Sequence, residues 1–331
     1  MAERKLAGIT SVGHYLPEYR LTNSDLEEMV DTNDEWIRTR TGISERRILK
    51  DEGKATAFMG AKAAAEAIER RGIDADEIDV IIVATVTPDY LFPATACLVQ
   101  EQIGANNAYG FDLSAACSGF LFALSNGANM IESGRAEKVL VIGADKMSSI
   151  VDYTDRSTCI LFGDGAGAVL LEPTEDGTGI IDYIHHTEGD TNGTLYQPAG
   201  GSLNPASHDT VAERLHYAKQ DGRTVFKKAT VGMADVSAEI MEKNDLTAED
   251  IAWLVPHQAN LRIIDATANR MGLDSEKVMV NIDKYGNTTA ATIPLCLYDW
   301  KDKLNHGDNL VLAAFGGGYT WGSIYMKWGE Q

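Results

Sequence analysis

Three side chains combine a chemically reactive type with a position directly after a predicted strand or at a predicted strand-to-helix turn. The first is Cys117, which follows the strand-like run Phe111-Asp-Leu and precedes a helical stretch from Ser118 to about Ser133, ended by Gly134. A helix N-terminus offers free N–H groups and positive potential, and both favour a thiolate over a thiol. Cys117 is therefore a candidate nucleophile, although a small buried cysteine among alanines explains the same pattern.

His257 and Asn287 are the other two candidates. His257 directly follows the apolar run Trp253-Leu-Val-Pro, and open α/β sheets form their sites at the carboxyl ends of strands. Asn287 lies at a predicted strand-to-helix turn, where an ordinary N-cap or turn asparagine is the alternative. The run Ala314-Phe-Gly-Gly-Gly offers backbone N–H groups for an oxyanion hole, or else forms a flexible hairpin.

The remaining cysteines and a second glycine cluster are predicted to be structural. The cysteines expected in the apolar core are Cys97, Cys159 and Cys296. No pair of cysteines has the C-x-x-C spacing, which excludes a zinc ribbon and a redox dithiol motif. The cluster Phe162-Gly-Asp-Gly-Ala-Gly-Ala lacks the motifs of phosphate-binding and dinucleotide-binding loops, and we expect it to pack tightly before a strand at Val169.

The chain contains an internal repeat. Ile78 and Ile251, each after a short acidic turn, stand 173 positions apart, and Lys138 and Asn309, each before an apolar run, stand 171 apart. Ordered recurrence at a nearly constant offset indicates a duplication. In this register Cys117 corresponds to a position near Asn287, so both strand-to-helix turns are expected at one interface between the halves.

The predicted fold class is α/β. Each half alternates helical stretches with continuous Val/Ile/Leu runs, which is typical of buried, mostly parallel sheets covered by helices. The halves are residues 1–175, with the cysteine, and residues 176–331, with the histidine and the asparagine. A polar segment from His185 to Gly222 interrupts the pattern and is expected to be a connecting excursion or a lid.

Composition narrows the class of partners. The 331 residues carry a net charge of −20, from 29 basic and 49 acidic residues, which disfavours nucleic acid and anionic membranes as partners. The sequence has no apolar stretch of about 18 residues, and no apolar signal core follows the charged start Met1-Ala-Glu-Arg-Lys. A cytoplasmic location is therefore expected.

Together these landmarks resemble the ketoacyl-ACP (acyl carrier protein) synthase III branch of the thiolase-like condensing enzymes. The resemblance runs nearly end to end and is carried, in order, by Ile9-Thr-Ser-Val-Gly-His-Tyr-Leu-Pro, Asn33-Asp-Glu-Trp-Ile-Arg-Thr-Arg-Thr-Gly-Ile, Ala115-Ala-Cys-Ser-Gly, Phe162-Gly-Asp-Gly-Ala-Gly-Ala, Val255-Pro-His-Gln-Ala-Asn, Gly286-Asn-Thr and Phe315-Gly-Gly-Gly-Tyr-Thr-Trp-Gly. It implies a thiolase-like five-layer α-β-α-β-α fold built from two duplicated halves, and it implies a homodimer.

The resemblance also implies the chemistry. Cys117 would be acylated by an acyl-CoA, and His257 and Asn287 would complete a triad that condenses malonyl-ACP with the acyl group to give a 3-oxoacyl-ACP. The N–H groups of Cys117 and Gly317 would form the oxyanion hole, and no metal or other cofactor is implied. Related elongating synthases carry a second histidine, thiolases a second cysteine and hydroxymethylglutaryl-CoA synthases a glutamate, so Asn287 favours the enzymes that initiate fatty-acid synthesis.

Binding residues are assigned by the same resemblance. Those implied for CoA, with the first two sandwiching the adenine, are Trp36, Arg156, Thr32, Arg40 and Asn260. Those implied for the acyl pocket, with the first closing it across the dimer, are Phe92, Met147 and Phe162. Those implied for docking of ACP are Lys227 and Arg262, and Arg270 is a further basic candidate for the same role.

Three alternatives remain open at this point. A papain-like thiol hydrolase also has Cys, His and Asn in this order, but its Cys-Gly-Ser-Cys-Trp signature is missing. A synthase of the same fold could prime a polyketide or another secondary pathway, or prefer branched or longer acyl-CoA. A non-enzymatic acyl-CoA-binding subunit would be expected to lack the nucleophile, which this sequence retains.

Overall fold

A computed structural model describes residues 5–190 and 192–329; the charged start from Met1 to Arg4 lies outside them. Within this part of the chain, no helix has both the length and the apolar character that crossing a bilayer requires. The strands are β1 Leu6–Tyr15, β2 Arg20–Thr22, β3 Glu45–Arg47, β4 Val80–Ala84, β5 Tyr109–Leu113, β6 Val139–Asp145, β7 Gly165–Thr174, β8 Gly179–Thr187, β9 Leu195–Tyr196, β10 Lys219–Gln220, β11 Trp253–Pro256, β12 Asn309–Gly316 and β13 Thr320–Lys327. The α-helices are α1 Asn23–Glu27, α2 Asp34–Thr41, α3 Thr56–Arg71, α4 Thr95–Ile103, α5 Gly119–Glu132, α6 His208–Ala212, α7 Gly222–Lys243, α8 Leu261–Met271, α9 Ile282–Tyr285 and α10 Thr292–Trp300.

Two sheets of the same design form the frame. In the first, the strand order is β1-β7-β6-β4-β5, with β4 parallel to β5 and β6, and β7 antiparallel to β6 and β1. In the second, the order is β11-β12-β13-β8, with β11 parallel to β12 and the other pairs antiparallel. A parallel bridge between Leu254 and Val278 lies where β5 lies in the first sheet.

The strand register confirms the duplication. Val80 pairs with Val139 in the first sheet, and Trp253 pairs with Leu310 in the second. The two members of the second pair therefore follow those of the first by 173 and 171 positions, the offsets predicted from the sequence. Corresponding strands thus occupy corresponding places in the two sheets.

Each half also has a short 3₁₀ turn that leads into a central helix. The turn Ala116–Ser118 precedes α5, and the turn Thr289–Ala291, 173 positions later, precedes α10. α5 and α10 lie between the two sheets and share one apolar core with both. α3 and α4 cover the outer face of the first sheet, and α7 and α8 cover that of the second. The layers therefore follow the predicted order α-β-α-β-α.

The glycine cluster before Val169 packs tightly, as predicted. A Cβ at Gly163 would lie 2.4 Å from the Tyr285 carbonyl oxygen, and one at Gly167 would lie 2.7 Å from the Cβ of Pro294. Both distances are shorter than any normal contact, so glycine is what allows β7 to approach α10 and the loop before it.

Two of the three structural cysteines were predicted correctly. Cys159 and Cys296 are fully buried, whereas the prediction for Cys97 is wrong because its side chain is exposed. α4 buries Thr95, Ala96 and Val99, and this leaves Cys97 on the outer side of the helix. Helical periodicity decides the position of this side chain, whatever the apolar character of the segment around it.

The polar excursion lies within the second half and begins later than predicted, because β8 of the second sheet continues to Thr187. It contains α6 and the short pair β9–β10, and it ends where α7 starts at Gly222. The Arg214 guanidinium binds the Asp152 carboxylate through contacts of 2.5 and 3.0 Å. This ion pair fastens the excursion to the loop that follows β6.

Candidate active site

Cys117 lies in the turn between β5 and α5, with 8% of its surface exposed. The chain leaves the strand at Ala116, whose φ is +47°. The Thr320 hydroxyl donates to the Ala115 carbonyl at 2.7 Å, and the Ser118 hydroxyl donates to the Thr320 carbonyl at 2.9 Å. These bonds hold the turn against the loop after β12, with the thiol at the N-terminal end of α5.

The environment of the thiol opposes its ionisation at rest. Burial raises the pKa of Cys117 to about 12, and the Asp145 carboxylate adds to the rise. A hydrogen bond with the Asn287 side chain acts in the opposite direction, as does the positive end of α5. The resting group is therefore a thiol, and it must lose its proton as it attacks a substrate.

His257 follows β11 and is 1% exposed. Its backbone N–H donates to the Ala313 carbonyl at 2.8 Å, and its Nδ1 lies 2.7 Å from the Thr292 hydroxyl oxygen. Nε2 is buried and has no hydrogen-bond partner among the described residues. Burial lowers the pKa of the imidazole to about 3, so the ring is neutral near pH 7 and Nε2 is the atom left for a substrate.

Asn287 is fixed at both its backbone and its side chain. Its N–H donates to the Leu161 carbonyl at 2.9 Å, and the Gly163 N–H donates to its carbonyl at 3.0 Å. Its side-chain Oδ1 accepts the Thr289 N–H at 2.8 Å. Since Oδ1 is engaged, the amide nitrogen Nδ2 is the group that Asn287 presents to Cys117.

The three side chains meet in one narrow cavity of about 200 Å³. Cys117 comes from the turn after β5, and His257 comes from the end of β11. Asn287 comes from the start of the equivalent turn in the second half, which follows the short helix α9 and not the predicted strand, so both halves of the chain contribute. The wall of this cavity also includes Arg40, Phe162, Asn260, Phe315 and Gly316.

Gly316 packs directly against the nucleophile turn. A Cβ at this position would lie 2.6 Å from the Cys117 nitrogen and 3.1 Å from the Ala116 Cβ. This close approach brings the loop that carries Gly317, the second predicted oxyanion donor, next to the turn. Gly316 itself was not predicted from the sequence, although the run of three glycines that contains it was identified as a candidate oxyanion hole.

Trp36 and Arg156, predicted to flank adenine, lie against one another. The guanidinium carbon of Arg156 is 4.8 Å from the centroid of the Trp36 ring, and its Nη1 donates to the Asp31 carbonyl at 2.8 Å. A base stacked between two planar groups needs roughly 7 Å between them, twice the ~3.5 Å contact distance. The two side chains must therefore separate before a base can lie between them.

Arg40 and Asn260 both line the catalytic cavity and are joined by a hydrogen bond from Asn260 Nδ2 to the Arg40 carbonyl at 2.9 Å. Asn260 is also the N-cap of α8, where its Oδ1 accepts the Arg262 N–H at 3.0 Å. The Thr32 hydroxyl is buried without a partner among the described residues, and Thr32 is not part of the cavity wall.

The residues predicted for the acyl pocket divide into two groups. Phe162 lines the catalytic cavity, and Met147 is buried in the same apolar cluster as Phe162. Phe92 is 87% exposed, beside the exposed Tyr90 and Leu91. It does not line the cavity of its own chain, in keeping with the role across a dimer that the resemblance implies.

The residues predicted for ACP docking lie on α7 and α8. Lys227 lines a second cavity of about 600 Å³, which shares Phe315 with the catalytic one. Arg262 lies in the first turn of α8. Arg270, in the last turn of the same helix, forms an ion pair with Asp235 at 3.1 Å, so part of its charge is already compensated.

Three residues around the site were not predicted from the sequence: Asp145, Thr289 and Thr292. Asp145 is the fully buried last residue of β6 and accepts a hydrogen bond from the Thr289 hydroxyl. A carboxylate at the end of an otherwise apolar strand was a usable signal for Asp145. The two threonines lie in Thr288-Thr-Ala-Ala-Thr and carry no signal of their own.

Comparison with known proteins identifies relatives along the whole chain. Residues 111–189 match the 3-oxoacyl-[acyl-carrier-protein] synthase III family, and residues 241–328 match the C-terminal part of that family. The beta-ketoacyl-[acyl-carrier-protein] synthase III of Chlorobium phaeovibrioides is 61% identical over 97% of this chain and 99% of its own. The crystal structure of 3-oxoacyl-[acyl-carrier-protein] synthase III from Aquifex aeolicus is 45% identical, with a TM-score of 0.89 over 97% of this chain and 100% of its own. The priming β-ketosynthase of the R1128 polyketide pathway is 33% identical, with a TM-score of 0.90 over 100% and 98%.

The papain-like alternative is excluded by this architecture, because the cysteine and asparagine turns are copies of each other within a duplicated chain. Relatives about 60% identical over nearly the full length are β-ketoacyl-[acyl-carrier-protein] synthases III, so the chain belongs to this branch of the superfamily. The chain belongs to the β-ketoacyl-[acyl-carrier-protein] synthase III family, and it is an acyltransferase that carries out the initiating condensation of fatty-acid synthesis.

Proposed function

We propose that the protein joins an acyl-CoA to malonyl-ACP, with Cys117 as the acyl carrier and with His257 and Asn287 as hydrogen-bond donors to the enolate. One observation carries the proposal: a thiol, an imidazole Nε2 without a partner among the described residues and a fixed amide face one narrow cavity. The three groups match the needs of acyl transfer followed by decarboxylation.

In the first half-reaction, the Cys117 sulfur attacks the thioester carbonyl of acyl-CoA. A new sulfur–carbon bond forms, the bond to the CoA sulfur breaks, and the cysteine proton leaves with CoA as its thiol. The N–H groups of Cys117 and Gly317 stabilise the developing oxyanion. Because burial raises the pKa of Cys117 to about 12, the proton departs together with the attack, and the positive end of α5 assists.

In the second half-reaction, malonyl-ACP loses carbon dioxide, and the electron pair of the broken bond forms an enolate. The enolate oxygen accepts hydrogen bonds from His257 Nε2 and Asn287 Nδ2. The Thr292 hydroxyl has two acceptors within reach, the Thr289 carbonyl at 3.1 Å and His257 Nδ1 at 2.7 Å. The proposed role requires donation to Nδ1, because the ring proton is then on Nε2. The enolate carbon attacks the acyl carbonyl, and the Cys117 sulfur leaves and takes up a proton. Release of carbon dioxide drives the step, so the proposal needs no metal or redox cofactor.

The two carriers bind at different surfaces in this proposal. Trp36 and Arg156 hold the adenine of CoA, and Arg40 and Asn260 line the path to Cys117. ACP, a strongly acidic partner, docks on the cationic side chains of α7 and α8. A local basic surface is needed because the whole chain carries a net charge of −20.

The functional unit in this proposal is a homodimer formed along β5. β5 is the edge strand of the first sheet, and an unpaired edge is a template for another strand. In the same half, Tyr90, Leu91 and Phe92 are exposed by 61%, 85% and 87%, and an apolar patch of this kind is typical of an interface. In this proposal the two-fold interface includes both the β5 edge and the patch. Sedimentation velocity should give a dimer, and Phe92→Ala should remain dimeric but accept longer acyl groups.

Intact-protein mass spectrometry tests the proposal. Wild-type protein mixed with a panel of straight and branched acyl-CoAs should gain one acyl group, whose size identifies the starter. Cys117→Ala should gain none, and Cys97→Ala, which removes the exposed thiol, should be acylated normally. Labelling by acyl-ACP alone would favour priming of another pathway, and absence of labelling by either carrier would overturn the proposal.

A further inference from the structure

Asp145 is a buried carboxylate that the reaction described above does not use. It is the last residue of β6, it is fully buried, and it is not part of the cavity wall. Its Oδ1 accepts the hydroxyls of Thr85 and Thr87, both at 2.9 Å, and the Val86 N–H at 2.8 Å. These donors fix the carboxylate in one orientation.

The other oxygen, Oδ2, is bonded to the second half of the chain. It accepts the hydroxyl of Thr289 and the N–H of Ala290, the latter at 3.3 Å. Both residues belong to the turn after Asn287. Thr289 has a φ of +51°, which is unfavourable for a β-branched residue and persists only where surrounding contacts impose it. Asp145 provides such a contact.

The duplication explains the position of this carboxylate. In the register of the two sheets, Asp145 at the end of β6 corresponds to Gly316 at the end of β12, and Ala290 corresponds to Cys117. Gly316 leaves room beside the Cys117 N–H, where the oxyanion is proposed to bind. In the other half, the equivalent N–H of Ala290 is bonded to an oxygen of Asp145. In the second half, an oxygen of Asp145 therefore lies beside the Ala290 N–H. The corresponding place in the first half, beside the Cys117 N–H, is the proposed position of the oxyanion.

We infer that Asp145 is a positioning residue, which holds the turn at Thr289 and thereby directs the Asn287 amide toward the enolate. The link is the Thr289 N–H, which donates to Asn287 Oδ1 at 2.8 Å and leaves Nδ2 to face the cavity. The inference rests on the role in decarboxylation proposed above for Asn287. It assigns Asp145 to the second half-reaction and not to the first.

The two half-reactions respond differently to loss of this carboxylate. Burial, and after it the Asp145 charge, raises the pKa of Cys117, so removal of the charge favours the thiolate. Acylation of Cys117 is therefore expected to be unchanged or faster without the charge. Decarboxylation is expected to be slower, because the Asn287 amide is no longer held. A merely structural role would slow both.

Three variants test the inference. Asp145→Asn removes the charge at nearly constant shape, Thr289→Val removes the hydroxyl donor, and Thr289→Ser keeps it. Acylation is followed by intact mass after mixing with acetyl-CoA, and decarboxylation by labelled carbon dioxide released from malonyl-ACP added to acylated enzyme. We expect Asp145→Asn and Thr289→Val to slow decarboxylation about 10- to 100-fold with acylation preserved, and Thr289→Ser to retain the wild-type rate.

Asn287→Ala provides the benchmark. If it slows decarboxylation while Asp145→Asn and Thr289→Val react at the wild-type rate, the inference is wrong and the proposed function stands. Equal losses in both half-reactions, with a lowered melting temperature, would make Asp145 a structural residue and overturn the inference as well. If Asn287→Ala has no effect, the proposed role of Asn287 and this inference both fall.

Discussion

Ala116 and Thr289 share a left-handed backbone conformation, with φ values of +47° and +51°, and stand 173 residues apart. Few residues other than glycine adopt such angles, and those that do cluster at functional sites. The residue after the first is Cys117, and the residue after the second is Ala290. Two copies of one strained turn therefore meet at the cavity: the first supplies the thiol, and the second fixes the Asn287 amide.

Gly316→Ala should stop acylation. The added Cβ would lie 2.6 Å from the Cys117 nitrogen, so the turn or the loop after β12 must move and the oxyanion donors lose their alignment. We expect at least about a 100-fold loss in the rate of acyl-enzyme formation, measured by intact mass. Gly201→Ala is the matched control, because no atom lies within 4 Å of its added Cβ. Equal rates for the two variants would contradict the proposed oxyanion hole.

Trp36→Ala should raise the KM for acyl-CoA. Stacking of a base on an aromatic ring contributes roughly 1–3 kcal/mol, which corresponds to about a 5- to 150-fold change. The same variant should turn over acyl-pantetheine, which has no adenine, at the wild-type rate. Steady-state kinetics with both substrates measures the difference. Equal losses with both substrates would mean that Trp36 acts through the fold of α2 and not through adenine.

Arg262→Ala should weaken the use of malonyl-ACP more than Arg270→Ala does. Arg270 shares its charge with Asp235 at 3.1 Å, whereas Arg262 has no acidic partner within 4 Å among the described residues. The KM for malonyl-ACP should therefore rise more for Arg262→Ala, and the difference should shrink as salt screens the charges. Kinetics at two ionic strengths measure it. A larger effect of Arg270→Ala would place the docking surface at the other end of α8.

His257 should make the protein sensitive to mild acid. Burial lowers its pKa from 6.5 to about 3, so the unfolded chain takes up a proton at a higher pH than the folded one. Stability is therefore fully present above pH 6.5 and falls below it, by about 1 kcal/mol per pH unit. His185, whose pKa burial lowers to about 4, contributes in the same direction.

The His257→Gln variant isolates this contribution. Its free energy of unfolding, measured in urea, should differ from that of the wild type by an amount that decreases as the pH falls from 7.5 to 5. His185→Gln should show a similar trend without loss of decarboxylation, because His185 does not line the catalytic cavity. A difference that stays constant with pH would mean that His257 is not neutral in the folded protein.

Positions that depend on local pattern could be predicted from the sequence, and positions that depend on packing between distant segments could not. His257 follows an apolar run that marks a buried strand, and Cys117 lies between a strand-like run and a helical stretch. The repeat placed Asn287 beside the equivalent of Cys117. Asp145 escaped notice because its partner Thr289 is 144 positions away and only the packed halves bring them together. The error at Cys97 has another origin, since an apolar segment does not reveal which side of its helix faces the core.

The alanine at position 290 shows what joining two copies in a single chain makes possible. In an assembly of identical subunits every substitution occurs twice, so two equivalent turns cannot diverge. Within one chain, the first turn has a thiol and packs against Gly316, and the second has a methyl group and binds the Asp145 carboxylate. The two turns keep the same backbone conformation while their side chains take different roles. One cavity can then receive two different thioesters in succession.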